Sequence, residues 1–248
     1  MKNKVVLVTG ASSGIGRACM LTFLQAGATV IGWARRPIEV VEQLADGRLY
    51  THRVDVRDRE AVRTCYASLP QTLQHIDVLV NNAGLSRGLS PLHQGSDTDW
   101  DEMIDTNIKG LLWVTKCVLP GMIQRGSGTI INVASIAGRQ PYPGGNVYSA
   151  TKAAVKMISD SLQIDINGTG VRVCSIDPGM VDTEFSLVRF HGDAQRAQSV
   201  YQGLTPLAAE DVADAALWVA TRPPHVSVHD MLLMPTAQAT ATIVSRKV

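Results

Sequence analysis

Tyr148 and Lys152 stand four positions apart in the run Tyr148-Ser149-Ala150-Thr151-Lys152, and residues at that spacing share one face of a helix. A free tyrosine, with a pKa of about 10, is too weakly acidic to serve as a base at neutral pH. A fixed positive charge beside the phenol favours the phenolate and lowers that value, towards the range where general acid–base catalysis is efficient. Such a pair also arises by chance in many helices, so its weight comes from its company. Thr9-Gly10-Ala11-Ser12-Ser13-Gly14-Ile15-Gly16 follows an apolar run near the N-terminus, and Asn81-Asn82-Ala83-Gly84 follows a second. Asn107 and Ser135 come next, and Pro178-Gly179 ends a later strand-like run.

Glycines at a strand-to-helix turn let the backbone approach a pyrophosphate, and the following helix supplies free N–H groups and the positive end of its dipole. Gly10, Gly14 and Gly16 sit at such a turn, although their spacing differs from the usual G-x-G-x-x-G fingerprint. A glycine-rich turn can also serve tight strand–helix packing alone. The end of the second strand distinguishes dinucleotides, because a carboxylate there suits the ribose hydroxyls of NAD and an arginine suits a 2′-phosphate. Here the sequence reads Trp33-Ala34-Arg35-Arg36, with no acid. A guanidinium binds phosphate through two parallel hydrogen bonds, so Arg35, helped by Arg36, points to NADP.

These residues need a frame that brings them together. Short β-branched runs alternate with longer helical patterns, the mark of βαβ units around a parallel sheet. Strands are expected at 5–9, 29–33, 48–54, 76–81, 128–133, 171–176 and 231–234. Helices are expected after Gly14, from about Pro37 to Ala45, from near Asp58, from about Asp99 to Gln124, and from Asn146 to Asn167. The expected fold is an α/β, Rossmann-type, doubly wound parallel sheet of seven strands with helices on both faces, one domain over residues 1–248. The stretch from Val181 to Pro206 is too long for an ordinary connection and reads as a lid or binding loop.

With 45% hydrophobic residues, the 248-residue chain can bury a sizeable core. Its formal net charge is +1, with no basic patch, so a nucleic-acid partner has little support. Cys19, Cys65, Cys117 and Cys174 are scattered without CxxC spacing and read as reduced thiols of an intracellular protein; no metal is expected. No apolar stretch approaches the roughly 20 residues that span a bilayer, and no signal-peptide core opens the chain. The expectation is a cytoplasmic globular protein without a membrane partner.

Along essentially its whole length the sequence resembles the short-chain dehydrogenase/reductase family. That resemblance implies a catalytic set of Asn107, Ser135, Tyr148 and Lys152. Ser135 would hydrogen-bond the substrate oxygen, and Tyr148 would exchange a proton with it. Lys152 would lower the Tyr148 pKa and bind the nicotinamide ribose, while Asn107 would hold a water linking Lys152 to solvent. Ser12, Ser13, Gly14 and Ile15 would meet the phosphates, and Asp55-Val56 the adenine. Asn82, Ala83 and Gly84 would lie beside the adenosine ribose. Pro178, Gly179, Val181 and Thr183 would hold the nicotinamide, whose hydride chemistry belongs to the cofactor.

Substrate clues come from Pro141 to Tyr148, Thr183 to Phe190 and Pro224-His225-Val226. These runs are similar to the branch of NADP-dependent serine and 3-hydroxy acid dehydrogenases, related to reductases of sulfoacetaldehyde and other small aldehydes. An acid substrate needs an anion site, for which Arg87, Arg139 and Arg189 are candidates, with Phe185 beside them. Met180, Phe185 and Phe190 leave open a broad reductase of larger apolar ketones. A regulatory protein binding NADP without turnover would be expected to lack part of the catalytic set, which is complete here. The resemblance also implies a two-fold homotetramer. Its interfaces would be formed by the helices at 99–124 and 146–167, and by the last helix, last strand and C-terminal tail. The tail, Pro235 to Val248, would be ordered against a neighbouring subunit.

Overall fold

A computed structural model describes residues 1–39 and 47–247. Seven strands, β1 (Val5–Thr9), β2 (Thr29–Ala34), β3 (Leu49–Arg53), β4 (Val78–Asn81), β5 (Gly128–Val133), β6 (Val171–Pro178) and β7 (Asp230–Leu233), form one sheet. Their order is β3-β2-β1-β4-β5-β6-β7, and every pairing is parallel. The chain leaves β1 towards β2 and β3, then returns to place β4 on the other side of β1. Strand order therefore reverses between β1 and β4, the place where ligands bind in such sheets.

The central strands β1, β2, β4, β5 and β6 are buried on both faces, because side chains along a strand alternate and helices cover each side. Val6 and Val8 turn to one layer, where they meet Phe23 and Leu24 of α1 (Gly14–Gln25) and Val212 and Val219 of α9 (Ala209–Ala220). Leu7 turns to the other, with Val62 of α2 (Arg59–Ser68) and Val114, Val118 and Met122 of α5 (Leu111–Arg125). Each such large side chain withdrawn from water contributes about 1.5–3 kcal/mol. Between α2 and β4 lies the single turn α3 (Gln71–Gln74).

The long helix expected from 99 to 124 is divided: α4 (Asp97–Ile104) and α5 flank a wider π turn, Asp105–Gly110. Such turns place an extra residue in the helix and often mark functional positions. α5 ends at Gly126, whose φ of 66° is the left-handed conformation that glycine adopts without Cβ strain. α6 (Asn146–Asp165) follows β5 and carries Tyr148 and Lys152.

Residues 181–206 are not one irregular loop. Two short helices, α7 (Phe185–Arg189) and α8 (Ala194–Ser199), occupy them. The helix expected from about Pro37 to Ala45 falls, beyond Glu39, outside the described residues, and Pro37 to Glu39 are not helical. The last helix, expected from the resemblance without a range, is α9, whose buried Ala209, Ala213, Ala215 and Ala216 pack against α1.

Candidate active site

A cavity of about 880 Å³ opens at the carboxyl ends of the strands, running from the glycine turn to α7 and the C-terminal tail. The glycine turn forms its floor. Gly10 and Gly14 hold left-handed φ values of 69° and 51°, which few other residues tolerate. A Cβ on Gly14 would fill the gap to Thr183, 3.2 Å away. Gly16 does not line the cavity. It packs against the Gly10 carbonyl and the Asn82 side chain, where a Cβ has no room. Asn82 Nδ2 donates to the Thr9 carbonyl at 2.9 Å, and Thr9 Oγ1 accepts from the Asn82 and Ala83 N–H groups at 3.0 Å. β1 and β4 are thereby locked together at the switch point.

At the outer end, Arg35, Arg36 and Arg53 line the cavity beside Asp55 and Val56. Arg36 donates to Ser13 Oγ at 2.8 Å and to Glu184 Oε2 at 2.6 Å, and Arg35 pairs with Glu102 at 3.2 Å. Arg53 was not singled out from the sequence. The signal for it is register, since β3 pairs Arg53 with Ala34, the residue before Arg35. A cleft with an uncovered glycine backbone, serine hydroxyls and three guanidinium groups fits a dinucleotide bearing an extra phosphate.

At the inner end, α6 brings Tyr148 and Lys152 to the cavity wall opposite Ser135, which caps the 3₁₀ turn Ile136–Gly138 through a 3.1 Å bond from Ala137 N–H. Gly138 lets that turn sit against the backbone of Lys152, 2.6 Å from a would-be Cβ. Lys152 Nζ donates to the Val133 carbonyl at 2.8 Å and faces Gly84 and the Asn107 amide. Asn107 lies behind the cavity wall. Its Oδ1 accepts from Leu85 N–H at 2.9 Å, and its Nδ2 donates to the Leu85 carbonyl at 2.9 Å and to Thr151 Oγ1 at 3.0 Å. It ties the π turn to both the β4 loop and α6.

Burial governs the charges here. It pushes the Tyr148 phenol up to about 12, while the nearby Arg189 charge and the Ser135 hydroxyl act in the opposite sense. Burial pushes Lys152 down to about 8, opposed by the Asp177 carboxylate. The Lys152 ammonium is turned to the Val133 carbonyl, and the cation over the Tyr148 ring is Arg189.

The three candidate arginines separate clearly. The Arg189 guanidinium lies 4.9 Å from the Phe185 ring, 5.4 Å from Tyr148 and 5.7 Å from Tyr142. It donates to the Tyr142 hydroxyl at 3.0 Å, and its buried Nε has no partner among the described residues. Arg87 lines the cavity, but its Nε is engaged by Glu102 at 2.7 Å and its Nη1 by the Val188 carbonyl at 2.6 Å. Arg139 is not at the cavity. It pairs with Asp177 at 2.5 Å and Asp230 at 2.8 Å, drawn there by a carboxylate with no exposure to water.

The C-terminal tail supplies residues that no motif marked. Gln238, 4% exposed, accepts from Met180 N–H at 2.8 Å and abuts Gly179. Arg246 donates to the Val200 carbonyl at 3.0 Å and to that of Gln202. Tyr201 bridges Ser186 and the Val181 carbonyl, both at 2.9 Å. The tail therefore folds back over the chain's own cavity.

A model of the short chain dehydrogenase family matches residues 4–192. The chain is 48% identical to the NADP-dependent 3-hydroxy acid dehydrogenase YdfG of Shigella flexneri over 241 residues, 96% of this chain and 97% of that protein. It is 46% identical to sulfoacetaldehyde reductase 2 of Chromohalobacter salexigens, covering 95% of each. The closed form of a serine dehydrogenase complexed with NADP+ superposes with a TM-score of 0.93 at 47% identity, over 98% of this chain and all of that one.

Proposed function

Because the chain belongs to the short-chain dehydrogenase/reductase family, we propose that it is an NADP-dependent oxidoreductase whose substrate is a small hydroxy acid or the matching aldehyde or ketone, of the serine, 3-hydroxypropionate or sulfoacetaldehyde type. The observation that carries this reading is Arg189. Its charge is stacked among three aromatic rings, that of Tyr148 included, with one buried donor that has no partner among the described residues. A buried unpaired donor is costly, and a carboxylate or sulfonate would both satisfy it and be oriented by the guanidinium fork. An acid bound there has its hydroxyl-bearing carbon a short reach from Tyr148. The relatives named above, which act on 3-hydroxy acids and sulfoacetaldehyde, support the same class.

In this reading Tyr148 gives its proton to the substrate oxygen during reduction and takes it back during oxidation, while Ser135 holds that oxygen. Lys152 provides positive charge that favours the phenolate, and Asn107 fixes the helix that presents both. Bound NADP supplies the hydride acceptor, and NADPH the donor. Arg35, Arg36 and Arg53 are proposed to hold its 2′-phosphate. Ser12, Ser13, Gly14 and Ile15 would meet the pyrophosphate, and Asp55, Val56, Asn82, Ala83 and Gly84 the adenosine. Pro178, Gly179, Val181 and Thr183 would meet the nicotinamide.

Assembly and compartment belong to the same proposal. Met157 and Ile164 on α6, Leu112 and Ile123 on α5, and Trp218, Leu232 and Ile243 at the other edge are exposed apolar side chains, and such patches mark interfaces. They support a homotetramer, and the four free thiols support the cytoplasm. The test of function is a screen of purified protein with serine, 3-hydroxypropionate, sulfoacetaldehyde and neutral ketones, read by absorbance of the reduced cofactor. Turnover of the acids is expected; turnover confined to large neutral ketones rejects the proposal in favour of a broad carbonyl reductase.

A further inference from the structure

The end of α7, where Arg189 stands, is fastened to the segment that follows β4. The last carbonyls of a helix have no partner inside it, and a helix of five residues is too short to hold its shape alone. Here the neighbouring segment takes two of them. Arg87 Nη1 donates to the Val188 carbonyl at 2.6 Å, and Gly88 N–H donates to the Arg189 carbonyl at 2.9 Å. The Val188 carbonyl also receives the His191 N–H at 3.3 Å. A peptide unit is planar, so the Val188 carbonyl and the Arg189 N–H turn together. Arg87 and Gly88 therefore hold the two peptide planes on either side of the Arg189 Cα, and with them the direction in which its side chain leaves the helix.

Arg87 is itself held from behind. Its Nε donates to Glu102 Oε2 at 2.7 Å. The other oxygen of Glu102 receives Arg35 at 3.2 Å and Arg57 at 3.5 Å, which anchors this α4 carboxylate independently of Arg87. Both side chains of the Arg87–Glu102 pair are 18% exposed, against 58% and 51% for Arg36–Glu184. A charge-assisted bond shielded in this way is a firmer tie than an exposed pair. Contacts thus run unbroken from α4 through Arg87 to the main chain of Arg189, whose guanidinium lies over three rings and donates to Tyr142.

We propose that Arg87, braced by Glu102, is a positioning residue for acid selection: it clamps the end of α7 so that the Arg189 guanidinium stands where it meets the substrate anion. The inference rests on the role proposed above for Arg189. Two other roles make different demands. An anion receptor needs donors that face the substrate, whereas Arg87 spends Nε and Nη1 on Glu102 and Val188. A general brace would serve acidic and neutral substrates alike, whereas the residue this clamp aims is the one that meets a charge.

The test measures KM and kcat for 3-hydroxypropionate and for its methyl ester, with saturating NADP, in Arg87→Met and Glu102→Gln. Weakened binding of ground and transition states alike raises KM and leaves kcat in place. In Arg87→Met the acid KM should rise about tenfold, with its kcat and the kcat/KM of the ester each within about twofold of wild type. Glu102→Gln, which keeps an acceptor and drops the charge, should raise the acid KM about threefold. Arg87→Lys, with one donor head for two acceptors, should show the same split at smaller size and takes the place of Arg87→Met if that variant does not fold. An acid KM that falls in Glu102→Gln overturns the inference, because freeing Arg87 would then have exposed the anion's own receptor. Equal losses for acid and ester overturn it too, as the mark of a general brace, and so does an acid KM unmoved by the Arg87 substitution. A wild type with no acid preference has a separate meaning: it rejects the proposed role of Arg189, and this inference with it.

Discussion

The wall formed by β4, β5 and α6 and the cover formed by residues 181–206 and the tail hold their functional groups by different means. On the wall, Tyr148, Lys152, Ser135 and Asn107 are all less than 9% exposed, and Lys152, Ser135 and Asn107 are bonded to neighbouring main chain. On the cover, the fastenings include the exposed pairs Arg36–Glu184 and His191–Asp99, each of a kind worth about 0–1 kcal/mol. The wall carries the groups proposed for proton transfer, a chemistry common to any carbonyl or alcohol. The cover carries Arg189, the group that would tell one substrate from another. In the proposed reading, the fold keeps the proton-transfer groups fixed while a lightly fastened segment sets specificity.

The contrast predicts unequal consequences of mutation. The largest belongs to the wall: Tyr148→Phe keeps the ring and removes the proton, so steady-state turnover should fall about a thousandfold while NADP still binds by fluorescence titration. Lys152→Ala should lose turnover and also weaken NADP binding; retention of turnover in either would end the assigned roles. Next comes the arginine corner. The unmodified protein should bind NADP more tightly than NAD, and Arg35→Asp should narrow or reverse that preference by about 10- to 100-fold. Equal affinities in the wild type would remove the inference.

The cover should be more forgiving. Glu184→Gln leaves Ser13 to hold Arg36, and NADP affinity measured by calorimetry should change by no more than about fivefold. A much larger loss would mean that the two regions are one energetic unit.

A smaller effect concerns stability. Lys152 is depressed from 10.5 to about 8 in the fold, so between those values the unfolded chain binds the extra proton. Stability contributed at this site therefore rises as pH climbs from about 8 towards 10.5, and the buried ammonium is unfavourable below that window. Lys152→Met should melt several degrees above wild type near neutral pH, with the difference shrinking as pH rises through the window. A difference that is constant with pH would contradict this.

The wall was far more legible in the sequence than the cover, for physical reasons. Strands buried on both faces read as apolar runs, and β1 and β5 appear over the residues expected. Glycines forced by a tight turn, and the Tyr148–Lys152 spacing, are local signals that survive without three-dimensional knowledge. The π turn around Asn107 is invisible to a 3.6-residue pattern, because α4 and α5 continue it on either side. Residues 185–189 and 194–199 are too short for periodicity, and α9 is rich in alanine rather than large apolar residues. Gln238 and Arg246 gain their place through contacts 58 and 44 positions away in the chain, for which the sequence carries no local mark. Arg139 looked equal to Arg189 until its partner Asp177 emerged from another strand.

The central claim is that Arg189 selects an acid for the Tyr148 machinery. It is tested most directly by kcat/KM for 3-hydroxypropionate against its uncharged methyl ester, with saturating NADP, in the wild type and in Arg189→Leu. The wild type should favour the acid on the order of a hundredfold, and the ratio should collapse towards one in Arg189→Leu. A wild-type ratio near one, or an acid preference that survives the substitution, would contradict the account.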